Sequence, residues 1–140
     1  PDRLAQAEKF LDTVAICAPQ LGQRAALWGM RNLGQWLAGE RAEIFDRRAA
    51  IEEGLPQLME RGWHLMGVGA YFAYFQHPFD IASDRLAQRL VQEAGVLALP
   101  GTMFMPEGDT GGARQMRIAF ANVDREGIAR LYDRLAGFTA

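Results

Sequence analysis

The sequence predicts an α+β fold in which lead-in helices precede a small, mostly antiparallel sheet that is covered by helices on one face. Three observations predict it. Apolar residues recur at helical spacing over the first third of the chain. After Gly62 the pattern changes to short, aromatic-rich runs typical of strands. Single helical stretches then separate these runs, which favours one sheet packed against a helical layer.

The first third predicts three helices. One side of the first carries apolar residues at helical spacing: Leu4, Ala7, Leu11 and Val14. Pro19 breaks the pattern, and a second helix is expected over residues 20–37. A longer amphipathic helix is expected from about Gly39, and Pro56 should kink or end it. We expect residues 1–38 to form lead-in and interdomain helices, and residues 39–140 to form one small domain.

The second part predicts alternating strands and helices. Strands are expected at residues 63–66, 71–76, 96–99 and 116–121, with Gly67 and Gly69 separating the first two. Ser83 is expected to cap a helix that stops at Gly95, and Asp124 is expected to cap the last helix. A long Gly-rich connection follows Pro100-Gly101, and loops of that length inside a compact domain are often functional.

Composition excludes several function classes. The chain has 140 residues with 15 basic and 17 acidic side chains, a net charge of −2, so no nucleic-acid partner is indicated. Cys17 is the only cysteine, which excludes an internal disulfide and favours a cytoplasmic protein without a zinc site. No apolar run is long enough for a bilayer. The chain starts at Pro1, within what reads as a first helical turn, so we expect a cut chain.

Arg117 is the residue most indicative of a binding site. Strict alternation in its strand places it on the same face as Ala119 and Ala121. Small neighbours leave space for an anion above the strand, and a guanidinium can pair with a carboxylate through two hydrogen bonds. From the pattern alone, an arginine paired with an acidic side chain on the sheet surface is the commoner alternative.

Four segments together resemble the class I and II aminotransferases. The most specific is residues 96–104, with Pro-Gly-x-x-Phe, followed by the strand at residues 116–121. Residues 23–26 resemble the family's Gln-x-Ala-Ala helix start, and the helix through Arg47 and Arg48 resembles its arginine-bearing connector. Residues 69–72 resemble its Gly-x-Tyr/Phe strand opening. Many members have a proline where this chain has Gly67, so substrate preference is not implied.

The resemblance implies that the chain is the C-terminal small domain of a pyridoxal 5'-phosphate-dependent aminotransferase, a homodimer acting on amino acids and 2-oxo acids. Arg117 falls on the position that binds the substrate carboxylate. The family's cofactor-linked lysine, phosphate-binding turn and ring-stacking aromatic belong to a large domain expected upstream of residue 1. Lys9, the only lysine, lacks the family's lysine motif. The chain alone is therefore expected to be inactive and to hold no catalytic residue, cofactor or metal.

Three alternatives remain open on the sequence. A β-lyase or decarboxylase of the same fold would also need a carboxylate-binding arginine. A transcription regulator with an aminotransferase-like domain is another alternative, and it would not need to be an enzyme. A free-standing binding module unrelated to the family is a third. His64 and His77 are expected to be structural, because neither has an acidic or second histidine partner at ligand spacing.

Overall fold

The computed structural model describes residues 2–140 and divides the chain into two units, of which the second is Arg41–Ala140. Helices α1 (Asp2–Val14), α2 (Gln20–Asn32) and α3 (Gly34–Glu53) come first. The expected helix bounds were wrong here: the second helix was expected over residues 20–37 and the third from about Gly39, but α2 ends at Asn32 and α3 begins at Gly34. The amide of the Asn32 side chain donates to the carbonyl of Trp28 at 2.8 Å, and such a local bond competes with continuation of the helix.

The first unit exposes much of its apolar surface. Neither α1 nor α2 has a buried residue. The exposed apolar side chains are large and include Leu4, Leu11, Trp28 and Trp36, and both tryptophans are about 60% exposed (60% and 59%). None of the helices within residues 2–140 combines the length and apolar character needed to cross a membrane.

The second unit contains a four-stranded antiparallel sheet. A short helix α4 (Leu55–Met59) leads into β1 (His64–Gly69) and β2 (Phe72–Gln76), and β3 (Leu99–Pro100) and β4 (Gln115–Ala119) follow. The strand order is β1-β2-β4-β3, and every neighbouring pair is antiparallel.

The expected separation of the first two strands was wrong. Gly67 and Gly69 belong to β1 instead of separating two strands, because they pair with Tyr74 and Phe72 of β2. Cross-strand pairing thus overrides their low strand propensity.

Pro56 was expected to kink or end the helix that starts near Gly39. The helix is interrupted two residues before it: α3 ends at Glu53, and Pro56 lies in the first turn of α4, where its missing N–H is tolerated.

One helix, α5, follows the β1–β2 hairpin, and another, α6, follows strand β4. Helix α5 (Ser83–Arg89) continues as a π-helical turn, Leu90–Ala94, and ends at Gly95 with φ +61°, as predicted. Asp124 caps α6 (Arg125–Gly137) as predicted, accepting a hydrogen bond from the Gly127 amide at 2.8 Å. The predicted cap at Ser83 was wrong, because its hydroxyl donates to the carbonyl of Gly112.

The core lies on one face of the sheet, which confirms the predicted α+β arrangement. The strands contribute buried residues at alternate positions: Ala73, Phe75, Met116 and Ile118. The helices contribute the other side: Ile51, Leu58, Leu86, Leu90, Ile128, Tyr132 and Leu135. The hydroxyl of Tyr132 donates to the carbonyl of Ile51 at 2.6 Å, so the polar group that this ring buries is hydrogen-bonded. The opposite sheet face carries Arg117, whose strand neighbours Met116 and Ile118 are in the core.

The β1–β2 hairpin contains a strained residue. Ala70 follows Gly69 at the turn and has φ +49°, a conformation that costs a residue with a Cβ about 1–2 kcal/mol. Glycine at this position would remove the cost and stabilise the folded state. It would also make the unfolded chain more flexible, which offsets part of the gain in stability. We expect Ala70→Gly to raise the free energy of unfolding by about 0.5 kcal/mol in urea titration. Ala129→Gly, at an exposed position of helix α6, should lower it by about 1 kcal/mol, and a loss in both variants would contradict the assignment of strain to Ala70.

His77 is a buried imidazole with a predictable effect on stability. It is 1% exposed and packs against the rings of Trp63 and Phe79, at centroid distances of 6.3 and 6.1 Å. Burial lowers the pKa of His77 below its ordinary value, and the positive charge of Arg114 lowers it further. In the unfolded chain the imidazole returns to a pKa of about 6.5.

The unfolded state therefore binds more protons than the folded state once the pH falls below about 6.5. We expect the free energy of unfolding to decrease as the pH falls from 6.5 toward the lower pKa of folded His77, and to be insensitive to this group above pH 7.5. Urea titrations at pH 7.5 and 5.5 measure the decrease. In His77→Phe the decrease should be smaller, whereas in His64→Gln it should match the unmodified chain. An equal decrease in His77→Phe would contradict the assignment.

Candidate substrate-carboxylate site

Arg117 lies at the centre of β4, on the sheet face opposite the core. The neighbouring positions, Met116 and Ile118, point into the core and are at most 2% exposed. Arg117 is half-buried and is paired across the sheet with Tyr74 of β2 and Leu99 of β3. Ala119 shares its face, whereas Ala121 lies beyond the end of the strand. The central position, with a strand on each side, makes the backbone under Arg117 rigid.

Arg117 differs from the other half-buried arginines in lacking a polar partner. Four arginines of the described chain are half-buried: Arg47, Arg48, Arg89 and Arg117. The first three each form an ion pair with a glutamate four residues away. Within residues 2–140, Arg117 makes neither a hydrogen bond nor an ion pair. Its N–H donors are thus available to an external acceptor.

Two aromatic rings contact the guanidinium group. The Cζ atom of Arg117 is 4.3 Å from the ring centroid of Phe72 and 4.1 Å from that of Phe104. These distances place both rings in cation–π contact, which stabilises a positive charge without using its N–H groups. The arrangement therefore keeps the charge in place and leaves its hydrogen-bonding edge free for a carboxylate.

Two glycines lie on this face in β1, the strand beyond β2. Gly67 pairs with Tyr74 and Gly69 with Phe72, so both glycines share the face of Arg117. A Cβ atom added at either glycine would have no atom within 4 Å. The sheet face over β1 is therefore open within the described chain.

The Gly-rich connection packs against this face through two glycines. Its 3₁₀ turns, Gly101–Phe104 and Gly111–Arg114, meet where the backbones of Gly101 and Gly112 touch. A Cβ atom on Gly112 would lie 2.4 Å from the Gly101 carbonyl carbon, and one on Gly101 would lie 2.6 Å from the Gly112 oxygen. Only glycine permits this approach. The buried hydroxyl of Ser83 donates to the Gly112 carbonyl at 3.0 Å and secures the contact.

Tyr74 lies beneath that contact, opposite Arg117. Its hydroxyl oxygen is buried and would lie 2.8 Å from a Cβ atom on Gly101. Burial raises the pKa of Tyr74 above its ordinary value, so the phenol stays neutral at physiological pH. Arg117 is thus the charged group of this part of the sheet face, and Tyr74 does not neutralise it.

Arg47 is hydrogen-bonded to the backbone that follows β4, the strand of Arg117. It is 21% exposed, its guanidinium donates to the carbonyl of Ala121, just beyond β4, and it pairs with Glu43 at 2.8 Å. A charge-assisted bond to the backbone restrains the direction in which the chain leaves the strand. The sequence pattern indicated Arg47 only as part of a connecting helix and did not indicate this bond.

A cavity of about 590 Å³ opens where the segment before β3 diverges from β4. It is mostly apolar, and its lining includes Leu97, Ile118, Leu131 and Arg117 itself. The other two arginines of the lining, which belong to α6, already have partners: Arg130 pairs with Glu126, and Arg134 donates to the Gly95 carbonyl at 3.0 Å. Of the arginines that line the cavity, Arg117 is therefore the one without a polar partner within residues 2–140.

Two other residues considered from the sequence, Lys9 and His64, are not part of this site. Lys9 is exposed on α1, in the first unit, and His64 is exposed at the start of β1. Neither of these two residues is buried among polar and aromatic groups of the kind that would hold a phosphorylated pyridine ring. Phe72 and Phe104 were missed as site residues, although Phe72 ends the quoted segment 69–72 and Phe104 ends Pro-Gly-x-x-Phe.

Known proteins resemble this chain in sequence pattern and fold. The family model described as aminotransferase class I and II matches residues 2–135. An α-aminoadipate aminotransferase of Thermus thermophilus superposes with a TM-score of 0.74 and 23% identity, over 97% of this chain and 35% of its own. An aminotransferase of Mycobacterium tuberculosis does so with a TM-score of 0.71 and 26% identity, over 91% of this chain and 32% of its own.

A mutant aspartate aminotransferase of Thermus thermophilus gives a TM-score of 0.70 at 23% identity, over 91% of this chain and 34% of its own. The chain thus spans about a third of the length of these structures. No curated protein sequence matches it significantly. Since the family model covers nearly the whole chain, the chain belongs to the class I and II aminotransferase family.

Proposed function

We propose that Arg117 binds the carboxylate of amino acids and 2-oxo acids in a pyridoxal 5'-phosphate-dependent aminotransferase, of which this chain is the C-terminal part. The observation that carries the proposal is the half-buried Arg117 guanidinium, which has two aromatic contacts and no acceptor within residues 2–140. An amino acid offers the planar, negatively charged acceptor that this group lacks. The family to which the chain belongs supports the reaction class.

The contribution of Arg117 would be binding and orientation. A carboxylate held by two parallel N–H···O bonds cannot rotate freely, so the α-carbon is held in one direction relative to the sheet. Because β4 is a central strand, the orientation would be set by a rigid element instead of a loop. The same two bonds would draw this domain toward the part of the protein that holds the rest of the substrate and exclude water between them.

The cofactor would be held by a large domain outside this chain. When bound, pyridoxal phosphate supplies the carrier for the amino group, and it needs a lysine for its attachment. The only lysine here is Lys9, which is exposed on α1. We propose residues 1–38 as lead-in and interdomain helices and residues 39–140 as the small domain. The exposed apolar side chains of α1 and α2, such as Leu11 and Trp28, support a further domain that covers them.

We further propose that the complete protein is a cytoplasmic homodimer that uses amino acids and 2-oxo acids, without nucleic-acid or membrane partners. The near-neutral charge balance and the single cysteine support this setting. The 140-residue chain alone would carry the carboxylate site and no transferase activity.

Product analysis with the full-length protein tests the proposed reaction. The protein is supplied with pyridoxal phosphate, each standard L-amino acid and either 2-oxoglutarate or pyruvate. The expected result is equal formation of a new 2-oxo acid and of glutamate or alanine, and none with the 140-residue chain. Release of ammonia or carbon dioxide without a new amino acid would instead identify a lyase or a decarboxylase. Absence of turnover together with specific DNA binding would identify a regulator.

A further inference from the structure

The ring of Phe104 lies over a charged group instead of in the core. It is 40% exposed and its centroid is 4.1 Å from the Cζ atom of Arg117. It belongs to the short 3₁₀ turn Gly101–Phe104, in the Gly-rich connection, whereas Phe72 belongs to strand β2. One of the two rings against the guanidinium is therefore part of the sheet, and the other is delivered by a loop.

We propose that Phe104 is a positioning residue that holds the Arg117 guanidinium in the orientation that receives the substrate carboxylate. This inference rests on the proposed function and deepens it at the same site. It assigns a purpose to the Pro-Gly-x-x-Phe segment: Gly101 allows the close backbone contact, and Phe104, three residues later, covers the guanidinium.

The turn that carries Phe104 is held at its first two residues. The Gly101 backbone contacts Gly112, whose carbonyl accepts a hydrogen bond from the Ser83 hydroxyl. Within the turn, the Thr102 hydroxyl donates to the Asp84 carboxylate at 2.6 Å. Both bonds attach the loop to the start of α5, a core element of the same unit. The position of Phe104 over the sheet face is thus set by contacts that do not involve Arg117.

An aromatic ring suits this task better than a polar residue. An arginine side chain has several rotatable bonds, and binding a carboxylate requires most of them to be restricted. An acidic partner would restrict them but would also occupy the N–H donors and neutralise the charge. The rings of Phe72 and Phe104 restrict the guanidinium and leave both the charge and the donors available. Much of the conformational freedom of the Arg117 side chain is then already lost before the substrate binds.

The test uses the full-length protein loaded with its cofactor, and the cofactor spectrum is followed during titration with L-leucine or with 3-methylbutylamine, the same molecule without a carboxylate. Phe104→Leu should raise the apparent Kd for L-leucine about tenfold and leave that for the amine unchanged. Phe104→Tyr keeps the ring and should restore affinity to within about twofold. Phe45→Leu is the matched control, since Phe45 is an exposed ring 5.4 Å from the Cζ atom of Arg41, on α3.

Arg117→Leu in the same titrations separates failure of this inference from failure of the proposed function. If Arg117→Leu weakens leucine binding and Phe104→Leu does not, the positioning role of Phe104 is wrong and the carboxylate site stands. An equal loss for leucine and the amine in Phe104→Leu, or no recovery in Phe104→Tyr, also overturns the positioning role. If Arg117→Leu changes nothing, or the unmodified protein responds to none of the standard L-amino acids, the proposed function itself fails.

Discussion

Replacing Arg117 by leucine in the full-length protein is expected to weaken amino-acid binding by about 100-fold or more, because it removes one partner of a hydrogen-bonded charge pair. Leucine keeps the length of the apolar stem and removes only the charged fork, so packing against Phe72 is partly retained. The measurement is an amino-acid titration followed by the cofactor spectrum. Cofactor binding should be unchanged, because the proposed partner of Arg117 is the substrate carboxylate.

Two further variants sharpen the test. Arg117→Lys keeps the positive charge but not the two parallel donors, so it should recover only part of the affinity. Arg61→Leu removes an exposed arginine of the same unit and should bind amino acids as the unmodified protein does. If Arg117→Leu retains the affinity of the unmodified protein, Arg117 is a structural residue. In that case the open sheet face, with Gly67 and Gly69, would need another explanation.

Replacing Gly112 by alanine is expected to lower the free energy of unfolding of the 140-residue chain by about 2–3 kcal/mol, the usual range for overpacking a rigid site. The added Cβ would lie 2.4–2.6 Å from three backbone atoms of Gly101 and Thr102. Backbone atoms cannot rotate away as a flexible side chain can, so the two turns must separate. Separation would also weaken the Ser83 hydrogen bond, whose acceptor is the Gly112 carbonyl.

Gly111→Ala provides the matched control for that prediction. Gly111 is the adjacent residue in the same 3₁₀ turn, and the closest neighbour of an added Cβ would be the Asp109 carboxylate oxygen, at 3.0 Å. That oxygen is at the end of an exposed side chain and can move. We expect a change within about 0.5 kcal/mol in urea titration. Equal losses in Gly111→Ala and Gly112→Ala would show that the backbone contact with Gly101 is unimportant for stability.

Features that depend on a few neighbouring residues were predictable from the sequence. The cap at Asp124 needs only its carboxylate and an amide three residues later, and the stop at Gly95 needs only a residue that tolerates a positive φ. The placement of Arg117 on the outer face of β4 follows from alternation, since Met116 and Ile118 must be buried. The pattern therefore indicated the strand, its face and the position of the charged group.

Features that depend on distant segments were not predictable in this way. Gly67 and Gly69 read as a break between strands, yet pairing with β2 incorporates them into β1. Ser83 has the composition of a helix cap, yet its hydroxyl bonds to Gly112, 29 residues later. In each case a long-range hydrogen bond outweighs a local preference of similar or smaller energy.

Periodicity, caps and motifs are local properties of the sequence, so they were enough to predict the fold class, the family and the strand that carries Arg117. Three-dimensional packing was needed to show that Arg117 has no acidic partner within residues 2–140 and that Phe72 and Phe104 contact it instead. The path of the loop that delivers Phe104 depends on the backbone contact between Gly101 and Gly112. Contacts of that kind arise from packing in three dimensions, which no local pattern specifies.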